Sequence, residues 1–115
     1  MENRQMLVQM LPGQVSNVLG RLNLSYEKLQ EIRMRADKPL AVRWDGREYF
    51  VKAGGEATIY EEQGYPVSKE EICQTMEQIS GYSLYAHEEE LKQGFLTIQG
   101  GHRVGIAGKV LICLL

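Results

Sequence analysis

Four arginines have the residue type and spacing to do chemistry. Arg33 and Arg35 alternate within EIRMR, Arg43 sits in AVRW, and Arg103 follows the glycine pair of GGHRVGIAGK. A guanidinium presents a rigid fork of donors that matches the oxygens of phosphates and carboxylates. A small sheet that brought these arginines to one face would therefore bind an oxyanion. The competing reading is that they lie over the sheet and pair with Glu31, Asp37 and Glu48.

The stretch GGHRVGIAGK, residues 100–109, invites a second reading as a phosphate loop. Such a loop needs G-x-x-x-x-G-K followed by Ser or Thr. Anchored on Gly108-Lys109, the first glycine falls on Arg103 and the magnesium-binding hydroxyl falls on Val110. The loop should also open a helix, whereas VLICLL has the composition of a strand. The dinucleotide fingerprint fails too, because counting from Gly100 puts His102 where a glycine is required. A hairpin accounts for the glycines more simply. Gly100 and Gly101 supply the positive-φ turn, and Gly105 and Gly108 suit close backbone approach or bulges.

Other chemistry finds less support. His87 and His102 are the only histidines, and HEEE at 87–90 lacks the second histidine of a zinc-binding H-E-x-x-H. Neither is placed beside a Ser or Cys nucleophile, so no catalytic residue and no metal ligand is assigned. Glu88–Glu90 read as a solvated helix face, and Tyr82 and Tyr85 as helix-end packing. Cys73 and Cys113 have no C-x-x-C partner and read as small buried apolar residues.

The elements that must position the arginines follow from periodicity. Leu11, Val15, Val18, Leu19 and Leu22 mark an amphipathic helix, weakened by Gly20. Ser25 is a candidate cap for a short helical turn, after which Ile32 and Met34 alternate with Arg33 and Arg35 as in a half-buried strand. KPLAVRWDGREYFVK is a hairpin. Asp45-Gly46 provides a type I′ turn that sets Trp44 against Arg47, Arg43 against Glu48 and Val42 against Tyr49. The Gly-rich, acidic AGGEATIYEEQGYP is expected to be a surface loop or ragged edge strand. Ser68 and Glu71 form a capping box for a helix with Ile72, Met76 and Ile79 inward and Gly81 at its end. FLTIQGGHRVGIAGKVLICLL reads as a second hairpin running into a last strand. The fold class is α+β, a small, mostly antiparallel sheet built from two hairpins with helices packed on it. One domain is expected over 1–115, helical at 10–31, with a hairpin at 38–52, a helix at 68–80 and a hairpin at 94–115.

The chain has 115 residues, 43% apolar and 24% charged, the balance of an ordinary globular protein. A net charge of −2 and an isoelectric point near 5.7 argue against a general nucleic-acid binder. A small α+β domain binding nucleic acid through its arginine face remains the alternative function. The start, MENRQMLVQMLPGQ, lacks a signal-peptide layout, and no apolar run approaches the roughly 20 residues of a membrane span. A cytoplasmic location is expected. The apolar VLICLL points to a partner, a continuation of the chain, or packing against a second copy.

LQEIRMRADKPLAVRWDGREYFV and VSKEEICQTMEQISGYSLYAHEEELKQGFLTIQGGHRVGIAGK together resemble the N-terminal region of the stage III sporulation protein AA family of endospore-forming bacteria. The resemblance covers about residues 10–110, and EIRMR, YSLYAHEEELKQGF and GGHRVGIAGK are its most specific pieces. In that family the region precedes a P-loop ATPase domain similar to type II and type IV secretion motors. The wider likeness to those motors rests on Ile32-Arg33, Asp45-Gly46, residues 68–80 and Gly101-His102-Arg103-Val104. The Walker segments are not among these residues. The resemblance therefore implies a non-catalytic regulatory or assembly domain, with ATP and Mg²⁺ belonging to the ATPase domain. It implies as partners that domain, neighbouring subunits and membrane-associated sporulation proteins, at the mother-cell membrane. It also implies that Arg103 first, then Arg33 and Arg35, reach the nucleotide.

Overall fold

The structure is a computed structural model, and it describes residues 11, 13–79, 95–97, 103–107 and 110–114. For the last three segments the description is of the backbone. Helix α1 (Gly13–Gly20) and helix α2 (Lys69–Ile79) accompany nine strands among the described residues. The strands are β1 (Leu29–Arg35), β2 (Lys38–Pro39), β3 (Ala41–Trp44), β4 (Arg47–Val51), β5 (Ala57–Thr58), β6 (Pro66–Val67), β7 (Phe95–Thr97), β8 (Arg103–Ala107) and β9 (Val110–Leu114). Seven of them form one sheet in the order β5-β4-β3-β1-β9-β8-β7, and β2 and β6 form a separate pair. Every pairing is antiparallel. The fold is α+β.

The hairpin β3–β4 forms as its sequence dictates. Asp45 and Gly46 both take positive φ, 49° and 79°, and Arg43 pairs with Glu48 and Trp44 with Arg47. Its tip is tied to the chain before it. The β1–β3 register jumps between Leu29 and Glu31, so Gln30 is the extra residue of a bulge. The Gln30 side chain uses the displacement to accept the Gly46 N–H at 2.6 Å. Trp44 Nε1 donates to the Ser25 carbonyl at 2.8 Å, and the Trp44 ring meets Tyr49 edge-on at 6.3 Å.

The expected helical stretch 10–31 is corrected. Helix α1 ends at Gly20, a single 3-10 turn covers Tyr26–Lys28, and β1 already begins at Leu29. Tertiary pairing to β3 and β9 decides the conformation of 29–31 over the local helical composition. The short turn does start on Ser25, whose hydroxyl accepts the Glu27 N–H. The expected hairpin at 38–52 is also shorter, because β2 leaves it to pair with β6. Strand β1 then joins the two hairpin regions through the middle of the sheet. Gly105 pairs straight across to Phe95 and Ile112 without a register shift, so no bulge forms there.

The main apolar cluster lies on one face of the sheet. Leu11, Val15, Val18, Leu19 and Leu22 of the α1 region are all buried, as their spacing predicts. They join Ile32 and Met34 of β1, Val42 of β3 and Val51 of β4. Helix α2 adds Ile72 and Met76, and its N-terminus closes with the expected reciprocal pair. Ser68 N–H donates to Glu71 Oε1 at 2.8 Å, and Glu71 N–H donates to Ser68 Oγ at 3.1 Å. The same Glu71 accepts the Tyr65 hydroxyl at 2.7 Å. Burial, with help from that carboxylate, pushes the Tyr65 phenol up to about 12. The Ile79 side chain and Gly81 lie outside the described residues. Cys73 is exposed, which corrects its expected burial. It stands one position past Ile72, off the stripe that meets the core.

Candidate functional site

Strand alternation sends the charged residues to the face opposite this core. On β1, Ile32 and Met34 are fully buried while Glu31, Arg33 and Arg35 between them are half-buried. Residues paired across an antiparallel ladder share a face, so the register shows which positions meet. Arg103 of β8 pairs with Leu114 of β9, Leu114 with Glu31, Glu31 with Arg43, and Arg43 with Glu48. Thr97 of β7 extends the same row beyond Arg103. The next row carries Gly105, Ile112, Arg33, Ala41 and Phe50, and the one after it Ala107, Val110 and Arg35.

All four predicted arginines therefore occupy positions on one face, within three adjacent rows. Strand spacing sets Arg103 about 10 Å from the Glu31 position and Arg43 about 5 Å on its other side. Arg103 is placed by backbone register alone. Gly100, Gly101, His102 and Gly108 lie outside the described residues, as do His87, Glu88–Glu90, Tyr82 and Tyr85. Cys113 is described as a backbone position in β9.

The side chains of β1, β3 and β4 show how these charges are used. Arg33 Nη2 contacts both Glu31 carboxylate oxygens, at 3.3 and 3.2 Å. Its Nη1 stands 3.7 Å from Glu48 Oε2. Arg33 Nε is buried and has no acceptor among the described residues. This is not the fork-to-fork geometry in which two guanidinium nitrogens serve two oxygens. With Arg33 33% and Glu48 47% exposed, water screens the cluster, and such pairs hold about 0.2–1 kcal/mol each.

The pairing reading of the sequence thus holds for Arg33, and among the described side chains it does not extend to Arg43, Arg35 or Asp37. Arg43 faces Glu48 in register, but the carboxylate turns to Arg33. Arg43 is exposed, and neither it nor Arg35 forms an ion pair among the described residues. Asp37 sits in the turn after β1 at a φ of 61°, and it too makes no ion pair there. The Gln30 bulge and the Tyr65–Glu71 bond were not read from sequence. A strand bulge leaves no pattern of its own, and the tyrosine reaches its partner through a fold of the chain.

An arginine-rich face on a sheet of this order suits an oxyanion, and comparison with known proteins places it in context. The family model described as "Sporulation stage III, protein AA" matches residues 1–113. The chain belongs to the stage III sporulation protein AA family. Stage III sporulation protein AA of Bacillus subtilis (strain 168) is 31% identical over 106 residues, which cover 91% of this chain. The chain spans 31% of that relative's length. No solved structure matches. Membership of this family supports a role in sporulation. Among the described residues no helix is long and apolar enough to cross a membrane.

Proposed function

We propose that the chain is the non-catalytic N-terminal regulatory and assembly domain of a sporulation-specific, secretion-type ATPase. Its arginine face meets the phosphates of nucleotide held by the ATPase domain of the same protein or of a neighbouring subunit. ATP and Mg²⁺ belong to that domain. The assembly works on the mother-cell side of the forespore boundary with membrane-associated sporulation proteins.

One observation carries this reading. The register brings Arg103, Arg33, Arg35 and Arg43 to one side of the sheet, which also carries the buried Ala41 and Phe50, while Ile32, Met34, Val42 and Val51 face the main core on the other. Arginines on a rigid strand framework are the groups best suited to gripping a phosphate from outside a nucleotide-binding loop. Family membership supports the sporulation setting.

The test uses the full-length protein with Arg103→Ala, measuring ATP turnover and nucleotide affinity. A several-fold change in either is expected. Unchanged turnover together with unchanged affinity removes the proposal. Titration with single-stranded DNA or RNA at two salt concentrations checks the alternative. Micromolar binding with a steep salt slope would transfer the arginine face to nucleic acid.

A further inference from the structure

We infer that Glu31 is a built-in competitor for the arginine face, a carboxylate that occupies from within the place a phosphate-type oxyanion takes from outside. The inference rests on the phosphate-binding reading above and adds a means of regulating it.

The geometry sets Glu31 at the centre of the cluster. Its register position lies between Arg43 on β3 and, two strands away on the other side, Arg103 on β8. Arg33 is two residues along the same strand, on the same face. The Glu31 side chain is only 14% exposed, so its carboxylate is set into the face rather than waving above it. An anion that reaches the Arg33 donors meets this charge already beside them.

The bond that holds Glu31 is an incomplete one. Both of its oxygens converge on a single nitrogen of Arg33, at 3.3 and 3.2 Å. The Nε of the same guanidinium, half of the fork that a better-placed oxyanion would use, is buried without an acceptor among the described residues. Arg43 pairs with Glu31 across the ladder yet makes no ion pair to it. A carboxylate offers two oxygens, and among the described side chains Glu31 reaches one guanidinium. A phosphate group offers at least three and can serve several guanidiniums together.

Charge arithmetic points the same way. Among the described residues, four arginine positions and two glutamates, Glu31 and Glu48, share these rows, on a chain whose net charge is −2. Glu31 therefore lowers the positive potential of this face and sets a threshold that only a multiply charged anion overcomes. Rotation of Glu31 away from Arg33 would expose the Arg33 donors at the moment of engagement.

The experiment titrates the 115-residue chain with inorganic triphosphate, and separately with ATP, by calorimetry at low salt. Wild type is compared with Glu31→Gln, with Arg43→Ala, and with both substitutions together. Glu31→Gln keeps the shape and removes the charge, and it is expected to tighten triphosphate binding about three- to tenfold. Adding Arg43→Ala should cancel the gain. Glu31→Asp keeps the charge and should stay near wild-type affinity, which guards against a trivial effect of disturbed packing at this position. A merely structural Glu31 would weaken binding or leave it unchanged on substitution. Either result with Glu31→Gln, or no detectable binding by that variant, overturns the inference. Wild-type binding that is indifferent to Arg43→Ala instead removes the arginine-face reading itself. Equal gains for triphosphate and ATP identify the phosphate chain as the recognised group, whereas a gain confined to ATP overturns the simple competition.

Discussion

Gly55 offers the sharpest test of how the helical end of the molecule is fastened to the sheet. It lies in the turn between β4 and β5 at a φ of +95°, where an L side chain is strained. A Cβ added there would stand 2.4 Å from the Arg21 carbonyl oxygen and 2.6 Å from the carbonyl carbon. These are backbone atoms just past α1, so they cannot swing aside as a side-chain tip would. Gly55 also accepts the Asn23 N–H at 3.3 Å and donates to the Lys52 carbonyl at 2.8 Å. Gly55→Ala therefore combines about 1–2 kcal/mol of backbone strain with about 1–3 kcal/mol of overpacking and about 1 kcal/mol from a loosened hydrogen bond. The total is about 3–6 kcal/mol, a large share of the stability of a domain this size. Urea unfolding followed by circular dichroism measures it. Gly54→Ala is the matched control, because its Cβ would meet only the movable Glu56 side chain. It should cost less than about 1 kcal/mol. Equal losses for the two variants, or a Gly55→Ala loss below about 1 kcal/mol, would refute the reasoning.

Two further outcomes follow from the α2 start. Ser68→Ala removes one half of the capping box and should cost about 1 kcal/mol in urea unfolding, with the helix signal otherwise retained. The Tyr65 phenol, held near 12 against an ordinary value of 10, keeps its proton longer in the folded state. Its stabilising contribution is then complete below pH 10 and lost as pH rises through 12. Tyr65→Phe should flatten the fall of stability across that window relative to wild type, and identical slopes would show that the Glu71 contact does not matter.

The parts of the fold that were legible in sequence are those whose cause is local. Asp45-Gly46 dictates its own turn, and from it the register Trp44–Arg47 and Arg43–Glu48 follows residue by residue. Ser68 and Glu71 announce their helix in four residues. The alternation of Ile32 and Met34 with the arginines already separates core from charged face. What could not be read is the choice of neighbours. Nothing near EIRMR says that β9 will lie beside it, and the helical composition before it hides that β1 starts at Leu29. The site divides in the same way. The arginines were found from residue type, but that Arg33 takes both glutamates while Arg43 takes neither depends on side-chain reach across three strands.

The neighbour relation of β1 and β9 has a consequence for how the molecule is born. Ile32 lies opposite Cys113, so the strand at the heart of the sheet has one flank unzipped until almost all 115 residues have left the ribosome. Pairing between such distant stretches is slow, because a long loop must close before any contact rewards it. During that interval the β3–β4 hairpin can dock on β1, while the other edge of β1 waits. A nascent chain at that stage is the form most exposed to mispairing with another copy.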